Sequence, residues 1–146
     1  MPACTFFGHR DCPGAIKPRL RATVVELIER YDVDRFYVGR QGAFDAMVRS
    51  VLQELVETYP HISYAVVLER LPDGKPKPDM RDFSPTIFPD GLETVPPRFA
   101  ISKRNEWMLR QSDYVVAYIT HGWGGAAQYV KKAARMGKVV VNLAGT

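Results

Sequence analysis

The sequence predicts an α/β fold, an open doubly wound sheet of about five mostly parallel strands with helices on both faces. Three observations carry that expectation. Short apolar runs alternate with stretches of helical period, the pattern of right-handed strand–helix–strand crossovers. The last three runs, Ile62–Leu68, Tyr114–Ile119 and Val139–Leu143, are nearly continuous in apolar residues, as strands covered on both faces are. Glycine follows three of the runs at the turn into the next helix, at Gly8, Gly39 and Gly122.

Taken in order, Cys4–Phe7 reads as the first strand. In the helix that follows, Ile16, Leu20, Val24, Leu27, Ile28 and Tyr31 recur at three- and four-residue intervals. Pro18 falls in its first turn, where a missing N–H is harmless. Arg35–Val38 is the second strand. A second helix carries Phe44, Met47, Val48, Val51, Leu52, Leu55 and Tyr59 on one side, and Pro60 stops it. After the third strand, residues 69–98 hold seven of the eleven prolines and read as one long ordered loop. A third helix spans about Ile101–Gln111, and the fourth strand follows it. The fourth helix spans about Gly125–Met136 and ends on Gly137, a glycine suited to the left-handed position after a helix.

With 146 residues, 46% of them hydrophobic and 25% charged, the chain has the make-up of one globular domain over 1–146. These proportions exclude wholesale disorder, collagen-like repeats and a disulfide scaffold. Cys4 and Cys12 have no metal-type spacing and read as free thiols of a reducing compartment, so a cytoplasmic location is expected. No apolar run approaches the length of a bilayer, so no membrane partner is expected. The net charge of +4 sits at the C-terminal end, where residues 99–146 hold seven basic and two acidic groups. Such an excess draws phosphates or a polyanion, or simply solvates a helix face.

Ligands of open α/β sheets bind beyond the carboxyl ends of the strands. That rule selects Gly8-His9-Arg10, Gly39-Arg40-Gln41-Gly42, the 69–98 loop and His121–Ala126. Gly122, Gly124 and Gly125 crowd a strand-to-helix junction, where free backbone N–H groups and the helix dipole suit a phosphate. Arg10 has the fork that clamps a phosphate, or pairs with Asp11. His9 is a candidate acid or base, or an orienting hydrogen-bonding group. Asp45 falls in the first turn of the second helix, where the dipole favours a carboxylate, or where it accepts bonds from a ribose hydroxyl. Arg104 heads the helix after the proline-rich loop and is expected either to reach a phosphate or to hold that loop through a carboxylate. No metal is expected, because His9, His61 and His121 lack ligand spacing, and no cofactor is expected.

The set Cys4–Arg10, Tyr37–Asp45, Arg104-Asn105, Ser112-Asp113 and Gly122–Gln128 resembles the SLOG superfamily. This Rossmann-like group contains the DprA/SMF proteins, the LOG phosphoribohydrolases and the YpsA-like proteins, and the YpsA-like branch looks nearest. The resemblance runs over nearly the whole chain. It implies a doubly wound parallel sheet that binds nucleotides, nucleotide-derived ligands or, in DprA, single-stranded DNA. The LOG enzymes carry a Gly-Gly-x-Gly-Thr-x-x-Glu loop whose Glu serves N-glycosidic cleavage. Here Gly122, Trp123 and Gly124 match its second Gly, variable position and third Gly. His121 replaces the first Gly, Gly125 replaces Thr, and Gln128 replaces Glu. A neutral amide is neither a base nor an anionic nucleophile.

Three functions are therefore carried forward. The first is a nucleotide-binding module, acting as a sensor or regulator. Its ligand-binding residues would be Gly8, His9, Arg10, Gly39, Arg40, Gly42, Asp45, Arg104, Gly122, Gly124, Gly125 and Gln128. The second is an N-glycosidic hydrolase or transferase acting on nucleoside monophosphates, with Asp45 or His9 as candidate catalytic groups. The third is single-stranded DNA binding, with Trp107, Trp123 and Tyr129 as stacking rings. The 69–98 loop reads as a flap over the site or as a subunit contact in a homo-oligomer.

Overall fold

A computed structural model describes residues 2–70 and 85–145. The strands are β1 (Ala3–Gly8), β2 (Arg35–Val38), β3 (Ser63–Val67), β4 (Thr86–Ile87), β5 (Tyr114–Tyr118) and β6 (Val139–Asn142). The helices are α1 (Lys17–Tyr31), α2 (Gly42–Thr58), α3 (Pro97–Gln111) and α4 (Gly125–Arg135). All strand pairs are parallel, in the order β4-β3-β2-β1-β5-β6.

The chain thus winds outward from β1 through β2 to β3 and β4, then returns to lay β5 against the other side of β1. Successive residues of β1 point to opposite faces, as a strand requires. Phe6 enters the cluster made with α1 and α2, which includes Leu20, Val24, Phe44 and Leu52. Phe7 enters the cluster with Met108, Leu109 and Ala133 from α3 and α4. Both faces of the central strands are therefore dry, and that is the reason β3 and β5 read as unbroken apolar runs, whereas β6, expected to be covered in the same way, lies at the sheet edge with Val139 exposed.

Beyond the exposure of β6, the structure differs from the expectation in two elements, both inside the proline-rich stretch. A sixth strand, β4, pairs Thr86 with Val66 and Ile87 with Val67. Two residues are too short to produce a pattern. Helix α3 begins at Pro97 rather than Ile101, because proline at the first helical position fits without strain. Residues 71–84 of the expected loop lie outside the described residues. Gly137 ends α4 with φ +78°, as the glycine suggested. Among the described residues, no helix is long and apolar enough to cross a membrane.

Candidate functional site

The winding direction reverses between β1 and β5, and adjacent connections leaving opposite faces open a crevice there. The turn after β1 is fastened to α2 from both sides. Ala43 donates its N–H to the Arg10 carbonyl at 2.9 Å. A Cβ on Gly8 would overlap the ring of Phe44, which is fully buried. Glycine here is what lets α2 close onto the end of β1.

Asp45 in the first turn of α2 accepts the Gln41 N–H at 2.9 Å, so it serves as a cap for its own helix. It also lines the crevice and is only 8% exposed. Burial pushes its carboxyl up to about 6, against the opposing pull of the Gln41 N–H and of Arg104 and Arg49. Arg104 comes from α3, itself 2% exposed. Its Nη1 lies 3.4 Å from the Val67 carbonyl and 3.5 Å from Glu69, and its Nε donates to Asn105 at 2.9 Å. Burial lowers the Arg104 pKa, and Asp45 and Glu69 oppose that shift. Glu69 is gripped in turn by the fork of Arg40, at 3.1–3.2 Å from Nε and Nη2, and by Gln41 Nε2 at 3.3 Å. Burial works against the Glu69 charge, but Arg40 and Arg104 outweigh it and hold the carboxyl below its ordinary value. Gly39 lies beneath this assembly: a Cβ there would stand 2.8 Å from Asp45 Oδ2 and 2.9 Å from Arg104 Nη1.

On the far side, β5 leads through Thr120–Gly124 into α4. Gly124 has φ +95°, a conformation that favours glycine, and no side chain caps the helix. The amides of its first turn are therefore presented to the crevice. Lys131 Nζ donates to the Gly122 carbonyl at 2.9 Å and pins the loop. Three rings stack along its edge: His9 on His121 and His121 on Trp123, with centroids 3.7 Å apart at each step. Burial and the neighbouring His121 lower the His9 pKa.

These parts enclose a cavity of about 320 Å³. Gly8, His9, Arg10, Asp45, Arg104, Gly124 and Gly125 line it, so groups from two loops and three helices meet in one space. The remaining expected residues sit elsewhere. Gly39 and Gly42 back the wall, Arg40 is turned to Glu69, and Gly122 is held through its carbonyl. Gln128 is exposed and is not among the lining residues. Asp113 accepts the Ala3 N–H at the start of β1, one strand length from the cavity. Sequence reasoning gave no role to Glu69, and it named Gln41 and Asn105 only within the Gly39–Gly42 segment and the Arg104-Asn105 pair. Glu69 carried a usable signal, since a lone carboxylate directly after a continuous apolar strand stands at the ligand edge of the sheet.

The raised pKa of Asp45 has a measurable consequence. A carboxyl that binds its proton more tightly folded than unfolded contributes stability at low pH, and that contribution is lost as pH rises from about 4 to about 6. The displacement corresponds to roughly 3 kcal/mol. Denaturant unfolding from pH 3.5 to 7.5 is therefore expected to show wild type losing about that much relative to Asp45→Asn. A constant difference between the two proteins across this range would show that Asp45 titrates normally.

No protein-family model and no curated protein sequence matches the chain. Solved structures do. The chain is similar in fold to DNA processing protein A (DprA) from Streptococcus pneumoniae. The two superpose with a TM-score of 0.65 at 13% identity, over 95% of this chain and 49% of DprA. The chain thus spans about half the length of that protein. The likeness to DprA speaks for the fold, and it agrees with the doubly wound, Rossmann-like sheet that the sequence predicts. Metal sites, by contrast, have no counterpart in side-chain grouping: among the described residues, no three His, Cys, Asp or Glu side chains cluster to hold an ion.

Proposed function

We propose that the chain is a YpsA-like member of the SLOG superfamily that binds a nucleotide or nucleotide-derived ligand, as a cytoplasmic sensor or regulatory module. One observation carries the reading. Arg10, the buried Arg104 and the uncapped start of α4 surround a single cavity of about 320 Å³ at the switch point of the sheet. The Arg10 guanidinium and the uncapped first turn of α4 are a receptor for phosphate, with the buried Arg104 adding positive charge behind them, while Asp45 and Asn105 offer bonds to hydroxyl groups.

Titration calorimetry with AMP, ADP-ribose and ribose 5-phosphate tests the reading. Arg10→Ala is expected to weaken the phosphorylated ligands about 10- to 100-fold, the contribution of one or two charge-assisted hydrogen bonds. Arg10 is exposed, so the variant keeps its fold. Absence of binding by all three compounds to wild type would overturn the proposal.

A second reading rests on Asp45. It is the one carboxylate among the described residues lining the cavity, and a pKa near 6 suits acid–base work on a glycosidic bond. The DprA likeness and the exposed Trp123 favour a nucleic-acid ligand, although Trp107 packs edge-on against Tyr37 and Tyr129 stacks on Phe7.

A further inference from the structure

The stacked rings beside the cavity end on a side chain that packing does not explain. Trp123 is 70% exposed, the most exposed large hydrophobic residue among those described. Large aromatic rings normally bury most of their surface, and a lone exposed indole on a mobile loop would be of little note. This one is held. Its inner face lies on His121, nearly parallel at 20°, and His121 lies on His9 at 16°. The loop backbone on either side is tied by His121 Nδ1 to the Trp123 carbonyl at 3.0 Å and by Lys131 to the Gly122 carbonyl. The column also starts inside the cavity. His9 at its base lines the wall, and Gly124, next after Trp123 in the chain, lines it again where α4 begins.

An indole fixed in place with one face open is a platform for a further flat ring. The freedom that stacking would otherwise cost has already been removed by the two imidazoles. Resting on the nucleotide-binding reading above, we infer that Trp123 is the base-recognition surface of the site, and that the ligand class is a purine nucleotide. Its phosphate would lie at the α4 amides and Arg10, and its base on the outer face of Trp123. The arrangement is selective for a broad aromatic face and gives no edge-on readout from the stack itself. Adenine and guanine would therefore be accepted more nearly equally than a purine and a bare sugar phosphate.

The test uses the intrinsic fluorescence of Trp123. The chain has two tryptophans, and Trp107 is packed against Tyr37, so Trp107→Phe leaves Trp123 as the single reporter. Titration with AMP and GMP is expected to quench that emission, while ribose 5-phosphate binds without quenching. In parallel calorimetry with otherwise unaltered protein, Trp123→Ala is expected to weaken AMP about 10- to 100-fold and leave ribose 5-phosphate unchanged. Trp123→Phe should restore part of the loss. If AMP binds no tighter than ribose 5-phosphate, or if Trp123→Ala leaves AMP affinity intact, the platform is refuted while the phosphate site stands. If neither compound binds and ADP-ribose does not bind either, the nucleotide-binding reading itself has failed. Tighter quenching by a short single-stranded oligonucleotide than by AMP would overturn the mononucleotide as the ligand.

Discussion

Arg104→Ala is expected to destabilise the protein by about 3–5 kcal/mol, the range for removing one partner of a buried ion pair. The guanidinium is 2% exposed and stands among Asp45, Glu69 and the Val67 carbonyl. Its loss leaves a carboxylate and a carbonyl facing an empty space that water reaches poorly. Glu69 keeps the Arg40 fork, so the damage concentrates on Asp45. The Asp45 carboxyl, already at about 6, should then titrate higher, because one of the groups pulling it down is gone. Denaturant unfolding reads the first effect, and carboxyl carbon chemical shifts across a pH series read the second. A loss below about 1 kcal/mol, the scale of exposed pairs, would mean that water reaches the network freely.

The second large effect concerns catalysis. Base release from nucleoside monophosphates is expected to stay near background in wild type. The carboxylate of the LOG motif is replaced by Gln128, and a single preorganised electrostatic group is typically worth about 10²–10³ in rate. The structure adds a sharper expectation. The Gln128 side chain is exposed and outside the cavity lining, so Gln128→Glu alone should not install turnover. Chromatographic detection of free base, with wild type, Gln128→Glu and Asp45→Asn side by side, decides the matter. Rapid release by wild type that Asp45→Asn abolishes would make the protein a hydrolase with Asp45 at its centre.

Much of the site was legible because its rule is topological. Once the strands are taken as parallel, Gly8, Gly39 and Gly122–Gly125 must stand at one sheet edge, and the residues between them follow. What was hidden falls into two kinds. Thr86–Ile87 and the start of α3 at Pro97 are local structure too brief, or too rich in proline, to register as a period. The bond from Glu69 to Arg40 and Arg104, and the closeness of Gly39 to both Asp45 and Arg104, are pairings across elements. Glycine at position 39 looked like a turn residue, but its position is equally set by two side chains that arrive from α2 and α3.

The basic C-terminal segment shows the same division. Its composition invited a polyanion. In the folded chain, Arg104 is buried, Lys131 holds the Gly122 carbonyl, and Lys103 and Lys132 both lie within 3.6 Å of Glu106. Charge counted along the chain does not reveal which charges are already engaged, because that depends on neighbours from other turns and other helices.

By itself, the amino-acid sequence determined the alternation of strands and helices, the burial of both faces of the central strands and the edge at which a ligand would sit. These depend on hydrophobic period and on glycine and proline, which act over a few residues. The tertiary structure alone decided that His9, His121 and Trp123 form one column, that Asp45 is desolvated beside Arg104, and that Gln128 stands aside. Such facts require β1 and β5 to be neighbours, although Ala3 and Asp113 at their starts are 110 residues apart. Contact at that separation is set by the packing of the whole sheet, and no local pattern encodes it.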